Sequence, residues 1–529
     1  MKPIIKFSDE TKKLLKSGID KLTNAVKSTL GPKGRPVIID LQNQPITVSD
    51  DGVTVAKHVI LEDEIENCGA KFLTESAIKT NDIAGDGTTT AILLTHSIIT
   101  EGFKYLANNS SPVILKRNLE KISNLIIENL NKQTKKITTK SEILNIATIA
   151  SGNKEIAEAI TKAIEKTGPN GVIAVDESPY ENLELEVAEG MQIKAGFVSP
   201  YMATNFSRGV AEYENPDILV SDLKITGIDE ILPFLQKLHQ VGRKNLILFV
   251  DEIEGEALSL LVINKLRGIF NTVAIQCPGV GANKKEYLKD IAIVTGAKII
   301  TKEAGQNFND VTIEELGKAK KVIVTKDKTI IINGKGSKTE LAKYESALKE
   351  QLNKAKQQWE KEKLQERIAN LTGKIVIIKV GAATESEVKA KKFKIEDAIN
   401  ATKAAIEEGI VVGGGIALLN AIKSIKIESL SSEERDAYEI LKKAIYQPIK
   451  QIAENAGESG DLVLKTILNE NSPNFGFNAE TNQFGDLFKQ GIIDPLKVVK
   501  TAFKNAISIS SLFLLSDVVI SIKTEDDKK

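Results

Sequence analysis

The sequence predicts a multi-domain α/β protein: a mostly helical domain drawn from both chain ends, with a mixed α/β middle inserted between them. Three observations carry that expectation. The chain has 529 residues, more than one ordinary core accommodates, so roughly two to four domains are expected. The helical texture of the first 130 or so residues returns after about residue 376, and the stretch between them differs. Finally, β-type runs alternate with helical segments between 213 and 301, the βαβα order of a partly parallel sheet covered by helices.

Each element has a local reason. From Ser8 to Leu30, Leu15, Ile19, Leu22 and Val26 repeat at helical spacing, with Ser8 as N-cap and Asp9 and Glu10 in the first turn. Thr29-Leu30-Gly31-Pro32-Lys33-Gly34 ends that helix. Short β-runs at Val37–Ile39 and Ile46–Val48 follow, then an Asp50-Asp51-Gly52 turn and a helix from about Glu64 to Gly85. Residues 133–188 mix short helices with β-runs. Beyond them, strands are expected at Leu219-Val220, Leu246–Val250, Val273–Ile275 and Ile299-Ile300. Helices at 229–240, 256–267 and 284–295 separate these strands. Leu341, Tyr344, Leu348, Leu352, Ala355 and Trp359 suggest paired helices between Thr339 and Leu371. A helix near Lys394–Glu408 then leads into Gly413-Gly414-Gly415. A polar loop at Asn474–Gln483 and Gly491–Pro495 precede a last helix. Similar ends around a different middle describe a domain interrupted by an insertion.

Composition narrows the function. A hydrophobic content of 42% and a charged content of 27% describe a soluble globular protein. Lys+Arg and Asp+Glu are equal at 71 each, which gives no support to a nucleic-acid partner. Cys68 and Cys277 lie far apart without a partner motif, so neither a disulfide framework nor a zinc site is indicated, and a reducing compartment fits. His58, His96 and His239 are scattered, which argues against a histidine-centred mechanism. Met1–Phe7 lacks the apolar core of a signal peptide. The closest approach to a membrane span, Ile507–Ile522, is broken by serines and Asp517. No membrane partner is expected.

The chemistry-bearing stretch is Gly85-Asp86-Gly87-Thr88-Thr89-Thr90. Ile92, Ile99, Phe103 and Leu106 behind it give one apolar helix face, so the hexapeptide is a tight turn opening into a helix. Glycines permit close approach to a ligand, and the threonine hydroxyls and free N–H groups at a helix start favour an anion. Asp86 would repel a phosphate unless a cation such as magnesium sits between them. Taken alone, the hexapeptide equally supports an ordinary N-cap and turn with an incidental acid.

Several motifs, in one order along nearly the whole chain, resemble the group I chaperonins, the bacterial GroEL type and its organellar relatives. They include Thr29–Arg35, Asp51–Val55, Asn81–Thr90, Val187–Gln192, Glu252–Leu258, Lys363–Arg367, Val380–Glu385, Glu407–Gly415 and Gly491–Pro495. The resemblance implies three domains: equatorial (1–132 and 408–529), intermediate (133–188 and 376–407) and apical (189–375). It implies an ATP-dependent folding chaperonin that captures non-native polypeptides and encloses them under a GroES-type co-chaperonin lid. The subunits would form a homo-oligomeric ring, heptameric, single or double. By the same resemblance Thr29, Leu30, Gly31, Pro32, Asp86, Gly87, Thr88, Thr89 and Thr90 hold the phosphates of ATP, with Asp86 on Mg2+ and K+ as a further candidate ion. Gly414 packs on the nucleotide, and Asn478 and Asp494 hold its base and ribose. Asp51 is a second acid beside the triphosphate, and Asp397 orients or activates the attacking water. The client surface takes in Phe197, Tyr201, Leu232, Leu235, Leu258, Val262 and Ile263, although Glu256–Leu266 read alone also fits a helix buried on all sides.

The chain departs from the family pattern in several places. Asp50 replaces a lysine near the phosphates, and Lys374 replaces the second glycine of a hinge pair. Met202 replaces an aromatic on the client surface. Lys450 and Ser459 stand where an arginine and a glutamate help join two rings, and the chain ends Glu525–Lys529 without the usual Gly-Gly-Met tail. A cytoplasmic location is expected, a mitochondrial or plastid matrix being the alternative. A pseudo-ATPase holdase that binds apolar segments without cycling is the competing function.

Overall fold

The computed structural model describes residues 3–7, 9–40, 47–107, 110–137, 139–168, 171–178, 180–206, 208–279, 281–355 and 357–522. The expected N-cap Ser8, Ile46, and the charged tail from Lys523 lie outside them. The chain divides into two compact units. One comprises Met1–Lys162, Val175–Leu183 and Val380–Lys529, and the other Ala163–Ala174 and Glu184–Lys379.

The first unit is mainly helical. Helices Asp9–Val26, Glu64–Ala84, Thr88–Leu106, Pro112–Lys132, Ser432–Asn455 and Leu496–Leu515 surround its core. Leu15, Ile19, Leu22 and Val26 are all buried, as their spacing requires. The Thr88–Leu106 and Leu496–Leu515 helices run alongside each other in the same direction. Gly87 meets Val498, the Ser510 hydroxyl donates to the Thr95 carbonyl at 3.3 Å, and Gly102 meets Leu514. A Cβ on Gly102 would lie 2.5 Å from Leu514 Cδ1, so a larger residue there would have to push that side chain aside. Leu496–Leu515 is long and apolar enough to cross a membrane, but Phe503, Ala506 and Ile507 bury it in this core. Pro3–Phe7 pairs antiparallel with Val518–Ile522, which joins the two ends of the chain.

The stretch Asn474–Gln483 is not the open polar loop its composition suggests. Phe475–Asn478 and Gln483–Asp486 form an antiparallel hairpin with Phe477 opposite Phe484. Phe475 stacks on Phe484 at 5.9 Å and Phe477 tilts against it at 5.3 Å, so three alternating aromatics drive the pairing.

The second unit is a sheet flanked by helices. Asn271–Gln276, Asn245–Val250 and Asp217–Ser221 lie parallel in that order, and Ile299–Ile300 adds parallel to Asp217–Ser221. Helices Ile228–Gln240, Gly255–Leu266 and Ala282–Thr295 connect these strands, the crossover that parallel pairing demands. Gly317–Val324, Thr329–Gly334 and Glu184–Ile193 continue antiparallel. Lys338–Lys354 and Gln358–Thr372 form the expected helical pair.

Candidate functional site

Every phosphate-loop and nucleotide residue expected from the sequence falls in the first unit. The Glu64–Ala84 helix ends at Gly85 with φ 70°, and Gly87, at φ 83°, caps the Thr88–Leu106 helix. Two left-handed residues in three positions fold one helix end directly onto the next helix start, a turn that glycine makes without steric cost. Thr88 and Thr89 are buried at that start. The Asp51-Gly52 turn presses on them: a Cβ on Gly52 would sit 2.3 Å from Thr89 Oγ1 and 2.9 Å from Thr88 Oγ1. Asp51 caps the Gly52–His58 helix, accepting from Val53 N at 3.3 Å, Thr54 N at 3.1 Å and Thr54 Oγ1 at 2.5 Å.

The loop carrying Leu30, Gly31 and Pro32 closes another side. Thr29 Oγ1 lies 3.1 Å from Thr89 Oγ1. Asn455, which sequence reasoning missed, donates its amide to the carbonyls of Lys27 at 2.9 Å and Leu30 at 2.8 Å. Gly31, at φ 84°, packs over Ile452. Lys33 reaches Asn482 Oδ1 at 2.7 Å, tying this loop to the tip of the aromatic hairpin.

Opposite lie Gly413, Gly414 and Gly415. Ile410–Val412 pairs with Ile493–Pro495, which places Asp494 across from Val411. A Cβ on Gly413 would come within 3.2 Å of Asp494 Oδ1, and Gly414 rests on Leu487. Asn478 ends the first hairpin strand. Its Oδ1 accepts from Glu480 N at 3.0 Å and Thr481 N at 3.3 Å, and its Nδ2 donates to Gln490 Oε1 at 2.9 Å. Gln490 is a second contributor that the sequence did not single out. Asp397 lies on the Glu385–Glu408 helix, one turn before Asn400, whose side chain packs on Gly85. That helix therefore runs past the hexapeptide.

The electrostatics are one-sided. Asp86 is open to solvent but enclosed by protein mass, and that enclosure raises its carboxyl above the ordinary range. The Gly87 N–H, donating at 2.5 Å, offsets part of the rise, and Asp51 adds to it. Burial raises the Asp494 carboxyl to about 7, with Asp86 contributing. Asp51 thus adds negative charge to Asp86, and Asp86 to Asp494, beside a helix start that attracts anions. A hard divalent cation fits this donor set. Among the described residues no group of three His, Cys, Asp or Glu side chains could hold a metal alone. An anion at Thr88–Thr90 would supply the missing oxygens, so cation and anion suit the site together.

The Asp494 shift gives a pH prediction. A carboxyl whose folded pKa is raised contributes stability at low pH and loses it as pH climbs from about 4 towards about 7. Asp494→Asn, which cannot ionise, should melt a few degrees above the unsubstituted protein at pH 8 without nucleotide, and by a clearly smaller margin at pH 5. Thermal melts at both values check this. A difference independent of pH would show that Asp494 does not titrate in that window.

In the second unit the expected client surface is only partly open. Tyr201 is 59% exposed and Ile263 46%, while Leu232, Leu258 and Val262 are half-buried. Phe197 and Leu235 are corrections to the expected set, because both lie in the core. Phe197 is anchored by its N–H to the Thr325 carbonyl at 3.1 Å and by a bridge to Ile275. Leu235 shares the inward stripe Ile231, Phe234, Leu235 and Leu238 of its helix. Met202 is also buried, its sulfur accepting from Ala274 N at 3.2 Å. The Gly255–Leu266 helix turns Ala257 and Leu261 inward and Leu266 outward, so it is not buried on all sides. Lys265 donates to the Met202 carbonyl at 2.5 Å and to Tyr213, which ties this helix to the turn bearing Tyr201. Burial brings the Lys265 ammonium down to about 8.

A helical unit made from both chain ends, with a sheet-containing unit inserted between them, is the fold of a chaperonin subunit. The chain belongs to the TCP-1/cpn60 chaperonin family, whose model matches residues 22–524. Among solved structures it is similar to the chaperonin gp146 from the bacteriophage EL 2 (Pseudomonas aeruginosa), crystallised in the presence of ATP-BeFx. In crystal form II the TM-score is 0.67 at 20% sequence identity, covering 98% of this chain and 100% of that one. In crystal form I it is 0.61 at 21% identity, covering 98% and 99%.

Proposed function

We propose that this chain is an ATP-driven protein-folding chaperonin of the group I type. The observation that carries the reading is the pair of acids Asp86 and Asp494, each raised by burial and by a neighbouring negative charge, beside a glycine–threonine helix start. A magnesium–triphosphate complex satisfies both the acids and the helix N-terminus. In this reading Thr88–Thr90 and the Thr29–Pro32 backbone bind phosphate oxygens, and Asp86 holds Mg2+, which supplies charge neutralisation between carboxylate and phosphate. Gly414 leaves room for the nucleotide, Asn478 and Asp494 orient base and ribose, and Asp397 places the attacking water. Asp51 spends its side chain on capping, so its role is to hold the Gly52 turn against Thr88 and Thr89.

The three-domain division is part of the proposal, with 133–188 and 376–407 acting as the hinge segments. Tyr201, Ile263 and the half-buried Leu258 and Val262 form the apolar face that captures non-native chains. Such contacts scale with area and tolerate many sequences. A co-chaperonin lid competing for this face would release the client. A ring is supported by two small sheets with exposed apolar strands. Ile38 and Val48 on one hairpin are 71% and 57% exposed, and Ile520 and Val518 on the joined termini 67% and 42%. Adding one sheet edge to the other, copy to copy, covers both. Lys450, at a ring-joining position of the family, pairs with Asp461 of its own chain at 2.5 Å, which favours a single ring.

The test is steady-state phosphate release with and without a denatured client. Magnesium-dependent turnover, together with suppression of client aggregation that ATP relieves, is expected. Client binding without turnover would instead establish the holdase reading.

A further inference from the structure

The side chain of Asn400 sits where the Glu385–Glu408 helix meets the phosphate-loop turn. A Cβ on Gly85 would lie 2.6 Å from Asn400 Cβ and 2.9 Å from its Nδ2, so the amide rests directly against the residue before Asp86. The position is built for this contact. Gly85 has φ 70°, no larger residue fits beneath Asn400, and Ala84, Ala404 and Val498 pack the helix there. Asn400 is nonetheless solvent-exposed, and its amide makes no hydrogen bond among the described residues. An exposed asparagine could as easily turn into bulk water. Here it is packed against a left-handed glycine, beside a helix start whose N–H groups favour an anion.

We propose that Asn400 is a further hydrogen-bond donor to the terminal phosphoryl group during hydrolysis, acting with Asp397 one turn away on the same helix face. The assignment rests on the ATPase reading above and deepens it. Residues three apart share a helix face, so the acid that places water and the amide that meets the phosphoryl oxygen would move as one body. Phosphoryl transfer depends mainly on placement and charge stabilisation, and negative charge spreads over the transferred oxygens. A neutral amide suits this position because it adds no charge that would compete with a metal for the acids. Asn400 can strengthen its bond as charge develops and leave the acids to the metal.

The test uses the full-length protein and compares Asn400→Ala with the unsubstituted chain, reading ATP turnover and the affinities for ADP and for ADP–beryllium fluoride. The exposed position makes the variant's folding safe. Expected is a kcat reduced roughly tenfold to a hundredfold, ADP affinity unchanged, and ADP–beryllium fluoride weakened relative to ADP. Asn400→Asp should be at least as slow, because it sets a carboxylate against the phosphoryl oxygens. Unchanged kcat in Asn400→Ala, with the unsubstituted protein active, removes Asn400 and leaves the nucleotide site standing. Equal weakening of ADP and its fluoride complex assigns Asn400 to packing alone and also overturns the proposal. Absence of magnesium-dependent turnover in the unsubstituted protein defeats the ATPase reading and this assignment together.

Discussion

Asp397→Ala is expected to keep magnesium–ATP binding and lose about 10²–10⁴ of turnover, the range over which a positioned acid or base contributes. The expectation follows from where its helix lies. Asn400, one turn on, packs on Gly85, so the Glu385–Glu408 helix passes the turn that would hold the phosphates. The binding groups come from elsewhere: Thr88–Thr90 at a helix start, Asp86 in the turn, and the Thr29–Pro32 loop fixed by Asn455. None of them lies on the Glu385–Glu408 helix, so removing the Asp397 carboxylate takes no binding group away. Affinity measured by calorimetry should therefore hold while single-turnover hydrolysis collapses. If turnover persists at the unsubstituted rate, Asp397 has no part in placing water. If affinity falls in step with rate, the helix is part of the binding site and not a separate water-placing element.

The sequence was most legible where one period decides the answer. The stripe Leu15, Ile19, Leu22, Val26 is buried as its spacing required, and the strands of the second unit lie where short apolar runs were flanked by helices. The hexapeptide turn was legible because two glycines supply the left-handed positions a tight turn needs, and the threonines with an apolar helix face behind them mark the helix start. What escaped was set by distance along the chain. Asn455 holds the Leu30 carbonyl across 425 residues, and no local pattern announces such a bond. The aromatic hairpin escaped because Asn, Gly and Gln between Phe475, Phe477 and Phe484 disguised the period-two pattern. Leu235 is the instructive error. The family resemblance implies an outward, client-facing position, whereas the structure places it on the inward stripe with Ile231, Phe234 and Leu238.

Arg367→Met should destabilise the second unit by about 3–5 kcal/mol, the cost of orphaning a buried charge. Arg367 is 3% exposed and Asp290 1%. The guanidinium donates from Nε at 2.9 Å and from an Nη at 2.7 Å to the two Asp290 oxygens, a planar fork that lysine could not reproduce. The same Nη donates to Tyr344 Oη at 2.7 Å, and that hydroxyl donates to Asp290 at 2.9 Å. Burial and the Asp290 carboxylate push the Tyr344 phenol up, so it remains a protonated donor. Glu286 accepts from the other Nη at 3.2 Å and also pairs with Lys363. The network therefore fastens the helices Ala282–Thr295, Lys338–Lys354 and Gln358–Thr372 to one another. Methionine fills the volume but leaves Asp290 buried without its cation. Hydrogen exchange should then show the Lys338–Lys354 and Gln358–Thr372 helices opening first, with the first unit unaffected. Adding Asp290→Leu removes the orphaned charge and should recover much of the loss, because apolar replacement of a whole buried pair is often neutral. A double variant no better than Arg367→Met would mean that the hydrogen bonds of Tyr344, not the buried charge, dominate the stability of this helical pair.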